Sequence, residues 1–261
     1  MNGLENLIKP NIIALQPYTS ARDEYQGNEG IFLDANENPY QLAYNRYPDP
    51  YQRELKAKIG MWRALETENI FLGNGSDEVI DLLIRATCES SKDRILSMDP
   101  SYGMYKVSAA VNDIPIDLVA LNYDMTIDED SLFSILNVNH KLIFICSPNN
   151  PNGSTIASQL IEKLLNTTSN LVIVDEAYID FSDTESWCNR LSKYDNLVVL
   201  QTFSKSLGAA GIRVGMGFMH PYLVGILNKI KPPYNISTTN QEAAIKRLND
   251  LDVVSIIVDR I

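Results

Sequence analysis

Basic residues are scarce in this chain: 22 lysines and arginines stand against 33 aspartates and glutamates, a formal charge of −11 at neutral pH. No basic cluster interrupts that balance, which argues against nucleic acid or an anionic membrane surface as a partner. Cysteine is also sparse. Cys88, Cys146 and Cys188 are odd in number and share no paired spacing, so free thiols in a reducing compartment are expected, not a disulfide framework. The two histidines, His140 and His220, are too few and too far apart for a metal centre, and no metal is expected. No apolar run approaches bilayer length and no signal-peptide core follows Met1, so the expected location is cytoplasmic. Internal repeats and low-complexity stretches are absent, which excludes solenoid and linker-type chains.

Apolar residues, by contrast, make up 45% of the 261 positions, enough to bury the core of one large domain and part of another. They fall into short runs: residues 94–98, 116–119, 142–146, 171–174, 197–200 and 215–219. Helical stretches alternate with these runs from about residue 55 onward. Strands that alternate with helices and are apolar on both faces predict an α/β fold, a largely parallel sheet covered on both sides. Pro221 is expected to open a helix running to Lys231, where Pro232 and Pro233 end it.

Several of these strands end in chemically useful residues. After residues 196–200 comes Gln201-Thr-Phe-Ser-Lys205, followed by a glycine-rich turn and Arg213. An amine beside two hydroxyls and an arginine suits a lysine that bonds covalently to a carbonyl, with Ser204 and Arg213 holding a phosphate. The run Leu171-Val-Ile-Val174 ends in Asp175-Glu-Ala-Tyr178. In open α/β sheets ligands collect at the carboxyl ends of strands, so neighbouring strands would bring Asp175 and Lys205 to one crevice. Such an aspartate can keep a pyridine nitrogen protonated, and the Tyr178 phenol can donate to a ring oxygen. A third strand runs into Ser147-Pro-Asn-Asn-Pro-Asn-Gly153, a turn in which the Asn150 amide is a second candidate for that oxygen.

Phosphate binding has a segment of its own. Leu72-Gly-Asn-Gly-Ser-Asp-Glu78 leads into an amphipathic stretch, so a glycine turn opens a helix whose first N–H groups face an anion, with Ser76 and Asp77 as expected N-cap residues. Neither a Walker A loop nor a complete dinucleotide fingerprint is present. Taken singly these features are ordinary: a solvated lysine, a strand-end acid, a turn rich in turn formers, a capped helix. Taken together they outline a pyridoxal phosphate site.

The ordered segments Gly73-Asn-Gly-Ser-Asp-Glu78, Pro100-Ser-Tyr-Gly-Met-Tyr105, Ser147-Pro-Asn-Asn-Pro-Asn-Gly153, Val174-Asp-Glu-Ala-Tyr178, Thr202-Phe-Ser-Lys205 and Ala210-Gly-Ile-Arg213 resemble the fold-type I aminotransferases. Within them, Leu15-Gln-Pro-Tyr-Thr-Ser-Ala-Arg22, Leu33-Asp-Ala-Asn-Glu-Asn-Pro39 and Arg46-Tyr-Pro-Asp-Pro50 are similar to the histidinol-phosphate aminotransferase family, over most of the chain from Leu15 to Ser237. The resemblance implies a seven-stranded, mainly parallel sheet. It also implies an N-terminal arm (1–45), a large cofactor-binding domain (46–232) and the start of a small domain (233–261). Implied too are pyridoxal 5'-phosphate as cofactor and transamination between glutamate/2-oxoglutarate and imidazole-acetol phosphate/L-histidinol phosphate in histidine biosynthesis.

By the same resemblance, Lys205 would anchor the cofactor and move the substrate proton, Asp175 would pair with the pyridine nitrogen, and Tyr178 and Asn150 would bond the ring oxygen. Tyr102 would stack on the ring. The backbone at Ser76 and Asp77, with Thr202, Ser204 and Arg213, would hold the phosphate. Tyr47 would reach the partner's site in a homodimer with shared active sites, and Tyr18 and Asn38 would touch the amino acid and phosphate substrates. Asn152 stands where relatives usually carry threonine. Family members continue past the equivalent of Ile261 into a segment with substrate-binding arginines, so the chain is expected to be a fragment of a longer product. The competing readings are a related enzyme on the same scaffold, such as an aromatic aminotransferase or an amino-acid phosphate decarboxylase, or a truncated cofactor-binding chain without turnover.

Overall fold

Runs of five or six apolar residues become strands here because both of their faces are covered. In the computed structural model, which describes residues 3–18, 35–40 and 42–261, side chains alternate between two cores. Val172 and Val174 of β5 (Leu171–Asp175) point to one layer, Leu171 and Ile173 to the other. Neighbouring β4 (His140–Cys146) and β6 (Leu197–Thr202) divide in the same way. The remaining strands are β1 (Ile70–Asn74), β2 (Arg94–Asp99), β3 (Ile116–Ala120) and β7 (Val214–Met219).

Among the described residues these form one seven-stranded sheet in the order β1-β7-β6-β5-β4-β2-β3. From β3 to β6 all pairs are parallel, whereas β7 runs antiparallel to both β6 and β1. The mainly parallel sheet is therefore as expected, with one strand absent from the sequence reading: β1 is so short and glycine-bearing that it reads as the approach to a turn.

Helices α1 (Arg53–Arg63), α2 (Ser76–Thr87), α3 (Met104–Val111), α4 (Glu129–Ile135), α5 (Ser158–Thr167), α6 (Pro221–Ile230), α7 (Thr238–Leu248) and α8 (Leu251–Val258) cover the two faces. On one side α2, α3 and α6 supply Val79, Tyr105 and Leu223; on the other, α1, α5 and α7 supply Ile59, Leu164 and Leu248. The N-terminal segment is more ordered than an irregular arm. Leu4, Leu7 and Ile8 are buried against α2 and α6, and the Lys9 N–H donates to the Ala86 carbonyl at 2.9 Å. Parts of the two N-terminal motifs, residues 19–22 and 33–34, lie outside the described residues. Among the described residues no helix is long and apolar enough to cross a membrane, and all three cysteines are buried and free.

Candidate active site

Parallel pairing aligns the ends of three strands. Cys146 at the end of β4 lies opposite Asp175 at the end of β5, which lies opposite Leu200 of β6. The chain leaving each strand enters one cleft of about 630 Å³, lined by Tyr102, Asn150, Asp175, Tyr178, Thr202, Ser204, Lys205 and Arg213, with Ser76 and Asp77 closing one end. Ten residues expected from the sequence thus share a single cavity. Lys205 projects from the β6 exit over Tyr178, its Nζ 5.2 Å from the ring centroid.

The anion end is built by β1 and β7. Their antiparallel register sets Asn74 opposite Val214, so Gly75 and Arg213 flank the pair, and the Gly75 N–H donates to the Arg213 carbonyl at 2.9 Å. Gly75, with φ +78°, is the N-cap of α2; no side chain caps the helix, and Ser76 is its first residue instead of its cap as expected. The first N–H groups of α2 are thereby turned toward the cleft, as an anion requires. A Cβ at Gly75 would overlap the Arg213 guanidinium, and one at Gly215 would overlap the Ser76 amide nitrogen. Arg213 itself adopts left-handed backbone, φ +51°, and its guanidinium lies 3.5 Å from both Ser204 Oγ and Asp77 Oδ2. Thr202 Oγ1 accepts from the Ser204 N–H at 3.1 Å, which fixes the Ser204 loop.

At the other end Asp175 is 2% exposed. Burial pushes its carboxyl above the usual carboxylate range, opposed by a hydrogen bond from the Tyr105 hydroxyl. Tyr102 donates to Asp77 Oδ1 at 2.9 Å, which holds its ring against the cleft; burial and then this bond raise its phenol. Burial pushes the Cys146 thiol up to about 12, so it lines the cavity as a neutral group.

Three expected residues are not brought into this cavity. Tyr47 lines a separate cleft, half exposed, with its ring stacked on Tyr234 at 4.4 Å. Tyr18 is 71% exposed, and Asn38 is an exposed turn residue whose Oδ1 accepts from the Tyr40 N–H. Conversely, the sequence reading assigned nothing to three residues that support the site. Tyr105 donates to Asp175 at 2.6 Å. Asn149 bonds the Pro100 carbonyl at 3.1 Å, the Ser101 hydroxyl at 2.9 Å and Asn152 Oδ1 at 3.0 Å. Ser206, next to the lysine, donates to Asp180, which also pairs with Arg63 at 3.0 Å. All three lie within recognised segments, but their partners are distant in sequence, so spacing carries no signal of their roles.

The donor set fits a planar, phosphorylated heterocycle: an uncapped helix start with a guanidinium and hydroxyl for a dianion, an aromatic face, and a buried carboxylate at the far end. The family model for aminotransferase class I and II matches residues 34–259. A histidinol-phosphate aminotransferase of Cytophaga hutchinsonii is 50% identical over 99% of this chain and 76% of its own length, and one of Bacteroides fragilis is 50% identical over 95% and 72%. Among solved structures, the histidinol-phosphate aminotransferase of Clostridium acetobutylicum superposes with a TM-score of 0.74 at 28% identity, over 82% of this chain and 64% of that one. The Sinorhizobium meliloti enzyme, solved in complex with pyridoxal-5'-phosphate, gives 0.76 at 23% identity, over 82% of this chain and 59% of that one. Fold and site thus define a class I and II aminotransferase. Within that class, the chain belongs to the histidinol-phosphate aminotransferase family, spanning about three quarters of the curated relatives' length.

Proposed function

We propose that the chain is a pyridoxal phosphate-dependent transaminase that exchanges amino groups between glutamate/2-oxoglutarate and imidazole-acetol phosphate/L-histidinol phosphate in histidine biosynthesis, in the cytoplasm. The observation that carries this reading is the meeting of Lys205, Asp175 and the anion cup at Gly75–Ser76 in one cleft. When bound, pyridoxal phosphate supplies an electron sink for the negative charge left on the substrate carbon as its proton departs. Lys205 anchors the cofactor, then takes and returns that proton. Asp175 keeps the pyridine nitrogen protonated, Tyr178 and Asn150 donate to the ring oxygen, and Tyr102 covers one ring face. The Ser76 and Asp77 N–H groups, Thr202, Ser204 and Arg213 hold the phosphate. We assign the cofactor apparatus to residues 46–232, with the preceding arm and residues 233–261 flanking it.

The partner of this chain is a second copy of itself. Tyr47, exposed and outside its own cleft, reaches the partner's phosphate, while Tyr18 and Asn38 border the substrate. To test the assignment, the chain is loaded with pyridoxal phosphate and its visible absorption followed. A band lost in Lys205→Ala and bleached by L-histidinol phosphate, but not by phenylalanine or tyrosine, is the expected result. No band at all refutes the cofactor assignment, and equal bleaching by aromatic amino acids replaces the substrate.

A further inference from the structure

Tyr105 sits one turn beyond Tyr102, and the start of α3 therefore presents two phenols in the same direction. Tyr102 lines the cleft, whereas Tyr105 lies behind it, 1% exposed, stacked on Phe144 at 4.7 Å and meeting Tyr102 edge-on at 5.5 Å. Its hydroxyl donates to Asp175 Oδ2 at 2.6 Å, while Oδ1 accepts the Ala177 N–H at 3.0 Å. Each carboxylate oxygen thus has one fixed donor and keeps lone-pair capacity for the cleft.

We propose that Tyr105 is a positioning residue for the transamination, acting through Asp175: its phenol fixes the carboxylate's rotation and holds it as an anion, so that the proton stays on the pyridine nitrogen. The inference rests on the cofactor site assigned above. A carboxyl as buried as Asp175 tends to take up a proton, because desolvation disfavours the charged form. Against that tendency stand the Tyr105 hydroxyl, the Ala177 N–H and the Lys205 charge, the hydroxyl first among them. Tyr105 cannot exchange roles with its partner. Burial, and then the adjacent Asp175 charge, push its phenol well above the usual range, so it acts only as a donor.

Tyr105→Phe keeps the ring and its stack on Phe144 and deletes only the hydroxyl. With the full chain loaded with cofactor labelled with ¹⁵N at the ring, the wild-type nitrogen should resonate as pyridinium. In the variant it should move toward neutral pyridine, and the cofactor dissociation constant should rise about 10-fold, the scale of one hydrogen bond to a charged group. In an Asp175→Asn background the same change should alter the constant by less than about 2-fold, because the two residues act as one unit. An unchanged resonance and affinity in Tyr105→Phe, or an equal loss in both backgrounds, overturns the proposal. If Tyr105→Phe does not fold, a fluorinated tyrosine at position 105 carries the test. This stronger donor must move the resonance further toward pyridinium, and a shift the other way refutes the role. Failure of the wild type to bind the cofactor refutes the underlying site itself.

Discussion

At Asn149 a single amide joins the loop that carries Tyr102 to the loop that carries Asn150, through the Pro100 carbonyl, the Ser101 hydroxyl and Asn152. Asn149→Ala leaves these groups without their partner at a site that is 4% exposed, at a cost of roughly 1–3 kcal/mol. A lower urea midpoint together with weaker cofactor binding is the expected outcome; a lower midpoint with unchanged binding would confine Asn149 to stability. Gly215 is constrained more sharply. A side chain there overlaps the first amide of α2, so Gly215→Ala should distort the anion cup and reduce cofactor affinity by more than 10-fold, by roughly the 1–3 kcal/mol typical of overpacking or more, as read by titration of the visible band. The ten residues lining the cleft were legible because a strand-end position and a side-chain type together define a role. Tyr105 and Asn149 were not, because their roles depend on contacts across 70 and 48 residues of chain.

Among the elements, β2, β3 and β4 are clipped together at the end of the sheet away from the cleft. Arg94 at the start of β2 grips Asp117 of β3 with two bonds of 2.5 Å, and buried His140 at the start of β4 meets the same carboxylate at 2.8 Å. Because His140 Nδ1 accepts the Asn137 N–H, its Nε2 carries the proton that Asp117 receives. The Arg94 hydrogen bonds, followed by that from His140, hold the Asp117 carboxyl at about 2 against an ordinary 3.8. A carboxyl lowered in the folded state stabilises fully above its unfolded value, and that contribution disappears as pH falls from about 4 to about 2. Unfolding midpoints measured across this window should therefore fall more steeply in the wild type than in Asp117→Asn, which starts lower at neutral pH. Parallel curves would remove Asp117 from the acid response. The parallel core was readable from alternation of strand and helix, but strand direction at the β1 edge is not encoded in any local run. A five-residue segment ending in Gly73-Asn74 gives no sign of which distant strand it joins.

For the whole molecule, the separation of Tyr47 from its own cleft yields a mixing experiment. If Tyr47 acts across the dimer, a Lys205→Ala chain and a Tyr47→Ala chain, each defective alone, should regain one intact site per hybrid dimer. Restored tight cofactor binding in the mixture is the expected outcome, and no recovery in dimers that demonstrably exchange would return Tyr47 to its own subunit. Shared sites were legible only through resemblance, since nothing in the residues around Tyr47 indicates that its target belongs to another chain. Val253, Ile256 and Ile257 of α8 are about half exposed, while Val254 on the same helix is buried in the core.

The pairing of β1 with β7 also sets an order of events during synthesis. The sheet's edge strand emerges from the ribosome about 140 residues before the strand that must flank it. Until Val214–Met219 has been made, Gly75 has no carbonyl to bond and Arg213 does not yet exist. The phosphate cradle is thus among the last features of the nascent sheet to form, and a stalled chain ending before β7 should release from the ribosome without captured vitamin B6.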